Sequence, residues 1–193
     1  MKNQIKRCEW CESTELYMKY HDEEWGVPVF DDQKHFEFLV LESAQAGLSW
    51  ITILNKRENY RKAYDNFDPK KVARYTEAKK SKLLANAGIV RNRLKIEASI
   101  NNGKHFLEIQ KEFGSFSDYI WSFTKGKPVI GKWKSIKEIP ARTELSDTVS
   151  ADLKKRGFKF LGSVIMYSHL QATGIINDHL IDCCRYKEIK KLY

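Results

Sequence analysis

The chain has 193 residues, 42% hydrophobic and 12% aromatic, which is enough for one domain with a substantial core and unlike a disordered polymer. Its 34 Lys and Arg against 25 Asp and Glu leave a net charge of +9, which suits an anionic partner, nucleic acid first among them, or an unspecialised basic surface. No apolar run is long enough to span a bilayer, and MKNQIKRCEW lacks the apolar stretch of a signal peptide, so a cytoplasmic protein is expected.

Apolar residues recur mainly three and four apart, the period of helices. Asp31 and Asp32 cap a helix over QKHFEFLVLESAQAG, with Phe36, Leu39 and Val40 on one stripe. Ser49 starts a second helix, WITILNKRENYRKAYDNF. Asp68 caps PKKVARY, with Pro69 at the first helical position. Thr76 caps EAKKSKLLANA, which ends at Gly88. VRNRLKIEASINNGKHFLEIQKEFG predicts a long amphipathic helix interrupted near Gly103, and SFSDYIWSF a short one. TKGKPVIGKWKSIKEIPART is loop-rich and is the place for any strands. LSDTVSADLKKRG and LGSVIMYSHLQATG complete the set. The expected fold class is all-α, with short helices and tight connections.

Within KLLANAGIVRNRLKI, residues 82–96, a helix ends, a turn containing Gly88 follows and a second helix begins. Backbone N–H groups at the turn, with Arg91, Arg93 and Lys95, can meet phosphates in the manner of a helix-hairpin-helix. An ordinary helical hairpin has the same pattern.

The cysteines are Cys8, Cys11, Cys183 and Cys184, with none between. His179 and Cys183 are four apart, so a helix would place both on one face. Cys8 and His21 are the matching N-terminal candidates, and two Cys with two His suit a closed, structural zinc site that clips distant parts of the chain together. CEWC, residues 8–11, is also a CxxC that could bind metal or do redox chemistry. Cys184 could replace Cys183, although on a helix it points about 100° away.

YMKYHDEEWG, LESAQAGLSWITILNKRENYR and KKRGFKFLGSVIMYSHLQATGIINDHLIDCC occur together. In these motifs the chain resembles the 3-methyladenine DNA glycosylase I family over nearly its whole length. The resemblance implies a helix-hairpin-helix glycosylase fold, with residues 31–110 as the helix-hairpin-helix lobe and 1–30 plus 111–193 as a zinc-binding terminal lobe. It implies a monofunctional enzyme that flips 3-methyladenine out of alkylated double-stranded DNA and hydrolyses its N-glycosidic bond. It also implies structural Zn2+ at Cys8, His21, His179 and Cys183. A monomer is the expected state.

By the same resemblance, Glu42 and Tyr20 are the catalytic candidates, and Trp50, with Tyr17 and Trp25, holds the base. A methylated adenine in DNA is cationic, and aromatic faces suit it through stacking and cation–π attraction. A carboxylate at Glu42 accepts from the exocyclic amine of adenine and would repel the oxygen of guanine. Without the resemblance, Glu42 reads as a solvated helix carboxylate and the aromatic residues as core. Leu48, in AGLSW, sits where an apolar wedge can enter the base stack, and Gly47 before it permits close approach of DNA. With Gly88, Arg91 and Arg93 these make the expected DNA contacts. Two rival readings remain: a zinc protein that binds DNA without catalysis, and a redox protein built on CEWC.

Overall fold

The computed structural model describes residues 5–193 and is mostly helical. The helices are α1 (Glu15–Glu23), α2 (Asp32–Gln45), α3 (Trp50–Ala63), α4 (Pro69–Val72), α5 (Glu77–Ala85), α6 (Arg93–Phe113), α7 (Phe116–Ser122), α8 (Glu144–Lys155), α9 (Ser163–Ala172) and α10 (Cys184–Ile189). Two short strands, β1 (Val129–Ile130) and β2 (Ile176–Asn177), pair in parallel, Val129 opposite Ile176. β1 lies in the loop-rich segment where strands were expected. β2 was not anticipated, because two paired residues leave no alternation to read.

The caps follow local chemistry. Asp31 accepts from Lys34 N at 2.7 Å, and Asp68 from Lys70 N at 2.8 Å and Lys71 N at 3.3 Å. Thr76 and Thr143 cap α5 and α8 in the same way. Ser49 has the extended backbone of a cap, but its hydroxyl bonds Thr52 Oγ1 at 2.7 Å instead. Several boundaries differ from the sequence reading: α3 ends at Ala63 rather than Phe67, α4 at Val72 rather than Tyr75, and α6 starts at Arg93 rather than Val90. α5 ends at Ala85, because the Asn86 side chain accepts from Gly88 N at 2.8 Å and turns the chain early. α6 runs unbroken through Gly103, whose missing side chain admits another helix: a Cβ there would lie 3.2 Å from Ala73 N.

The main core cluster draws on α2 through α9, with two smaller clusters beside it. α2 is its axis. The predicted stripe of Phe36, Leu39 and Val40 is buried, but so is every residue from His35 to Ala44. Its other faces are satisfied across space. Glu37 Oε1 accepts from Arg57 Nε and Arg61 Nη2, both at 2.9 Å. Phe38 packs with Tyr20 and Leu54. His35 bonds His169 of α9 at 3.3 Å. Glu42 faces a cavity.

Candidate functional site

Every residue expected to hold a base lines one cavity of about 230 Å³: Tyr17, Tyr20, Trp25, Glu42 and Trp50. α1 supplies the two tyrosines, which sit three apart on one side of that helix. α2 supplies Glu42 and α3 supplies Trp50 at its first position. Tyr20 and Trp50 have ring centroids 5.6 Å apart. Burial raises the phenols, Tyr17 to about 12 and Tyr20 well above its usual value, so both stay neutral donors.

Glu42 is buried, and its Oε2 has no hydrogen-bond partner. Desolvation pushes its carboxyl up to about 8. Trp50 Nε1 is a second buried polar atom without a partner. Among the described residues only four such atoms occur, and two of them belong to residues that line this cavity. Buried polar groups are nearly always satisfied. An acceptor left open beside an aromatic cavity therefore indicates a flat ligand that carries a hydrogen-bond donor.

The sequence reading missed other walls of the cavity. Trp10, from within CEWC, packs edge-on against Tyr17 at 4.8 Å and Trp25 at 5.0 Å. Gln45 lies one turn beyond Glu42 on α2, a spacing that was available as a signal. Ile136, Ile139, Ser168 and Gln171 come from distant segments, and no local pattern marks them. Gln171 Nε2 donates to Asp178 Oδ2 at 2.9 Å, and Trp133 Nε1 donates to Asp178 Oδ1 at 2.6 Å. A carboxylate only accepts, so the Gln171 amide is oriented with its oxygen free.

Leu48 and Gly47 lie in an exposed loop between α2 and α3, flanked in sequence by the cavity residues Gln45 and Trp50, with Leu48 42% exposed. Gly47 has φ +80° and no atom within 4 Å of a built Cβ, so it serves the turn. Gly88 has no such conformation. It packs against α3, where a Cβ would lie 3.0 Å from Asn59. Arg91 and Arg93 are exposed in the turn before α6 and at its first position. Lys95 is not available to phosphate as expected: its Nζ donates to Ala44 O at 2.8 Å and Ala46 O at 2.6 Å.

Cys8, His21, His179 and Cys183 are all buried, with ligand atoms within 4.8 Å of one another. Cys183 Sγ lies 3.5 Å from His21 Nε2 and 3.6 Å from His179 Nδ1, and Cys8 Sγ lies 3.8 Å from His179 Nδ1. A tetrahedral ion with ordinary S and N bonds has sulfur–nitrogen edges of about 3.6 Å. The other ring nitrogens are engaged. His21 Nδ1 donates to Asp22 Oδ1 at 2.7 Å, and His179 Nε2 to Trp25 O at 3.0 Å. Both inward nitrogens therefore carry lone pairs, the arrangement of metal-binding imidazoles. The thiol contact drives the pair apart: Cys8 goes up, with burial adding to the rise, and Cys183 goes down. This buried group can hold a metal ion.

The helical argument for these ligands was wrong. Residues 178–183 form no helix; Cys183 precedes α10 as its N-cap residue. A turn with Cys183 N donating to Leu180 O at 2.9 Å brings His179 and Cys183 together. Cys184 lies outside the group. Cys11 also lies outside it, its Sγ donating to Cys8 O at 3.0 Å, and burial raises its thiol to about 12, opposite to the low value a redox CxxC needs.

The comparisons agree with one another. The methyladenine glycosylase family model matches residues 10–186. DNA-3-methyladenine glycosylase 1 of Escherichia coli is 48% identical over 182 residues, covering 94% of this chain and 97% of that protein. DNA-3-methyladenine glycosylase of Haemophilus influenzae is 46% identical, covering 92% and 96%. A crystal structure of a 3-methyladenine DNA glycosylase I variant in complex with 3-methyladenine superposes with a TM-score of 0.91 at 38% identity, covering 94% of this chain and 98% of that one. With the match extending over nearly all of its length, the chain belongs to the methyladenine glycosylase family.

Proposed function

We propose that this protein excises 3-methyladenine from alkylated double-stranded DNA by hydrolysing the N-glycosidic bond. The carrying observation is Glu42 Oε2, a buried acceptor without a partner on a residue that lines an aromatic cavity. The names of the relatives and the base held in a similar structure support the same substrate.

In this reading the target nucleotide swings out of the duplex into the cavity. Leu48 fills the gap in the stack, while Arg91 and Arg93 with the turn at Gly88 hold backbone phosphates. Trp50 stacks on the base, Tyr17 and Trp25 flank it, and Tyr20 donates a hydrogen bond. Glu42 accepts from the exocyclic amine. In the empty cavity its carboxyl is raised to about 8. A cationic purine beside it draws the proton off, so charge recognition and amine recognition are one contact. The cationic base is already a good leaving group. The protein's contribution is extrusion, exclusion of water from the base and tight holding of the departing purine. Water attacks the sugar without a covalent lysine intermediate, so the strand is not cleaved.

The donor set and its spacing fit zinc, held by Cys8, His21, His179 and Cys183. With four protein ligands it would supply a fixed tetrahedral crosslink and no open position. The chain's own part is to hold Trp10 and Trp25, which pack on the His21 ring, against the cavity.

The test is release of free bases from methylated duplex DNA, identified by chromatography. Wild type is expected to release 3-methyladenine and spare 7-methylguanine. Glu42→Gln is expected to lower kcat/KM by about 10- to 100-fold, the loss of one charged hydrogen bond. No release from folded, metal-loaded protein would overturn the assignment and favour a DNA-binding module.

A further inference from the structure

We propose that Lys95 is a positioning residue that ties the DNA-gripping turn before α6 to the loop carrying Leu48, fixing the wedge relative to the held backbone. The inference rests on the reading of the cavity as a base-excision site.

Lys95 lies in the first turn of α6, its backbone N–H capped by Asn92 Oδ1 at 3.1 Å. Position alone makes it a third cation beside the exposed Arg91 and Arg93. Its side chain instead runs to the end of α2 and donates to Ala44 O at 2.8 Å and Ala46 O at 2.6 Å. Terminal carbonyls have no partner within their own helix, and they carry the negative end of its dipole. An ammonium there satisfies both. Burial pulls it below the usual lysine range, as expected for a charge given up to structure rather than to solvent.

The loop gains little other support. Residues 46–49 are exposed. Leu48 N donates to Gln45 O at 2.6 Å and Ser49 bonds Thr52, both within the α2–α3 segment. Among the described residues, no other side chain from outside that segment bonds it. The turn before α6 is itself fastened to α3, with Val90 N donating to Tyr60 Oη at 3.0 Å and Lys56 Nζ to Ala87 O at 3.3 Å. Turn, α3 and the end of α2 thus form a closed triangle, with Lys95 as the side that reaches the wedge. A loop ordered before DNA arrives avoids its ordering cost during extrusion, and misplacement by about 1 Å can cost 100-fold in rate.

Lys95→Met keeps the apolar stem and removes the ammonium. Three quantities are compared with wild type: single-turnover excision from duplex at saturating protein, affinity for undamaged duplex against salt, and affinity for free 3-methyladenine. The expected result is excision slower by about 10- to 100-fold, with free-base affinity, duplex affinity and salt slope unchanged. A salt slope shallower by about 0.9, with excision at saturation intact, would make Lys95 a phosphate ligand and overturn the tie. Unchanged excision would overturn it too. In a Leu48→Ala background the effect of Lys95→Met should shrink, since both act through one wedge; independent effects that multiply would count against it. Lys95→Arg, which keeps a charged donor, is expected to retain most of the rate, and a loss as large as with Met overturns the tie even if Met misfolds. A wild type that releases no base removes the glycosylase reading and the tie with it, whereas an active wild type without these effects removes the tie alone.

Discussion

Glu42 is buried with Oε2 unpartnered, and desolvation raises it from 4.5 to about 8. A carboxyl whose value in the fold exceeds its unfolded value favours the fold at low pH. That contribution is fully present below about pH 4.5 and is lost as the pH rises to about 8, because ionisation is then resisted only in the folded chain. Glu42→Gln should therefore stabilise the empty protein by about 1–3 kcal/mol at pH 8 and by much less at pH 5, checked by thermal unfolding at both. Wild-type kcat/KM should climb towards pH 8 as Glu42 ionises in the free enzyme, and the Gln variant should lack that limb. Stability and activity move oppositely at this residue, as expected where a polar group awaits a ligand. Periodicity alone would place a glutamate in this stretch on a solvated face. The family motif LESAQAGLSW pointed to its role, and only the packing of α3 and α9 on α2, with Tyr17 and Tyr20 of α1 across the cavity, accounts for its burial.

Between elements, a few side chains do what no helix does alone. Asp32, at the start of α2, accepts from Phe116 N and Ser117 N, each at 2.9 Å, and from Gln110 Nε2 at 2.6 Å. It thereby satisfies the first two amides of α7 and ties α2, α6 and α7. Asp32→Ala is expected to cost about 2–3 kcal/mol of unfolding free energy, seen in urea denaturation, with little change in excision, since no partner lies in the cavity. Asp31 and Asp32 read alike in sequence as one cap. Asp31 does cap its own helix, because that bond spans three residues. The partners of Asp32 are at least 78 residues away, beyond any local pattern. Lys95 differs from Arg91 and Arg93 for the same reason: its acceptors lie about 50 residues back along the chain.

Over the whole molecule, the group of Cys8, His21, His179 and Cys183 joins segments more than 150 residues apart. An ion held there would bind the folded chain and not the unfolded one, so its binding free energy would add to stability, about 3–4 kcal/mol at about 100 to 1,000 times its Kd, and at about 2–4 °C per kcal/mol its loss would lower Tm by roughly 10–15 °C. Chelation, or Cys8→Ala, is expected to give that drop in calorimetry; a metal analysis of purified protein showing none bound would overturn the clasp. The sequence by itself determined most of the helices, the caps at Asp31, Asp68 and Thr76, and the presence of two Cys and two His with compatible chemistry, since these depend on residue type and on neighbours within about one turn. It also marked, through shared motifs, the residues that meet in the cavity. Tertiary structure alone decided that His179 and Cys183 converge through a turn rather than along a helix, that Lys95 faces inward, and that Trp10, Ile136, Ile139, Ser168 and Gln171 complete the cavity. Those outcomes depend on contacts between segments far apart in the chain, and such contacts are set by how the helices pack.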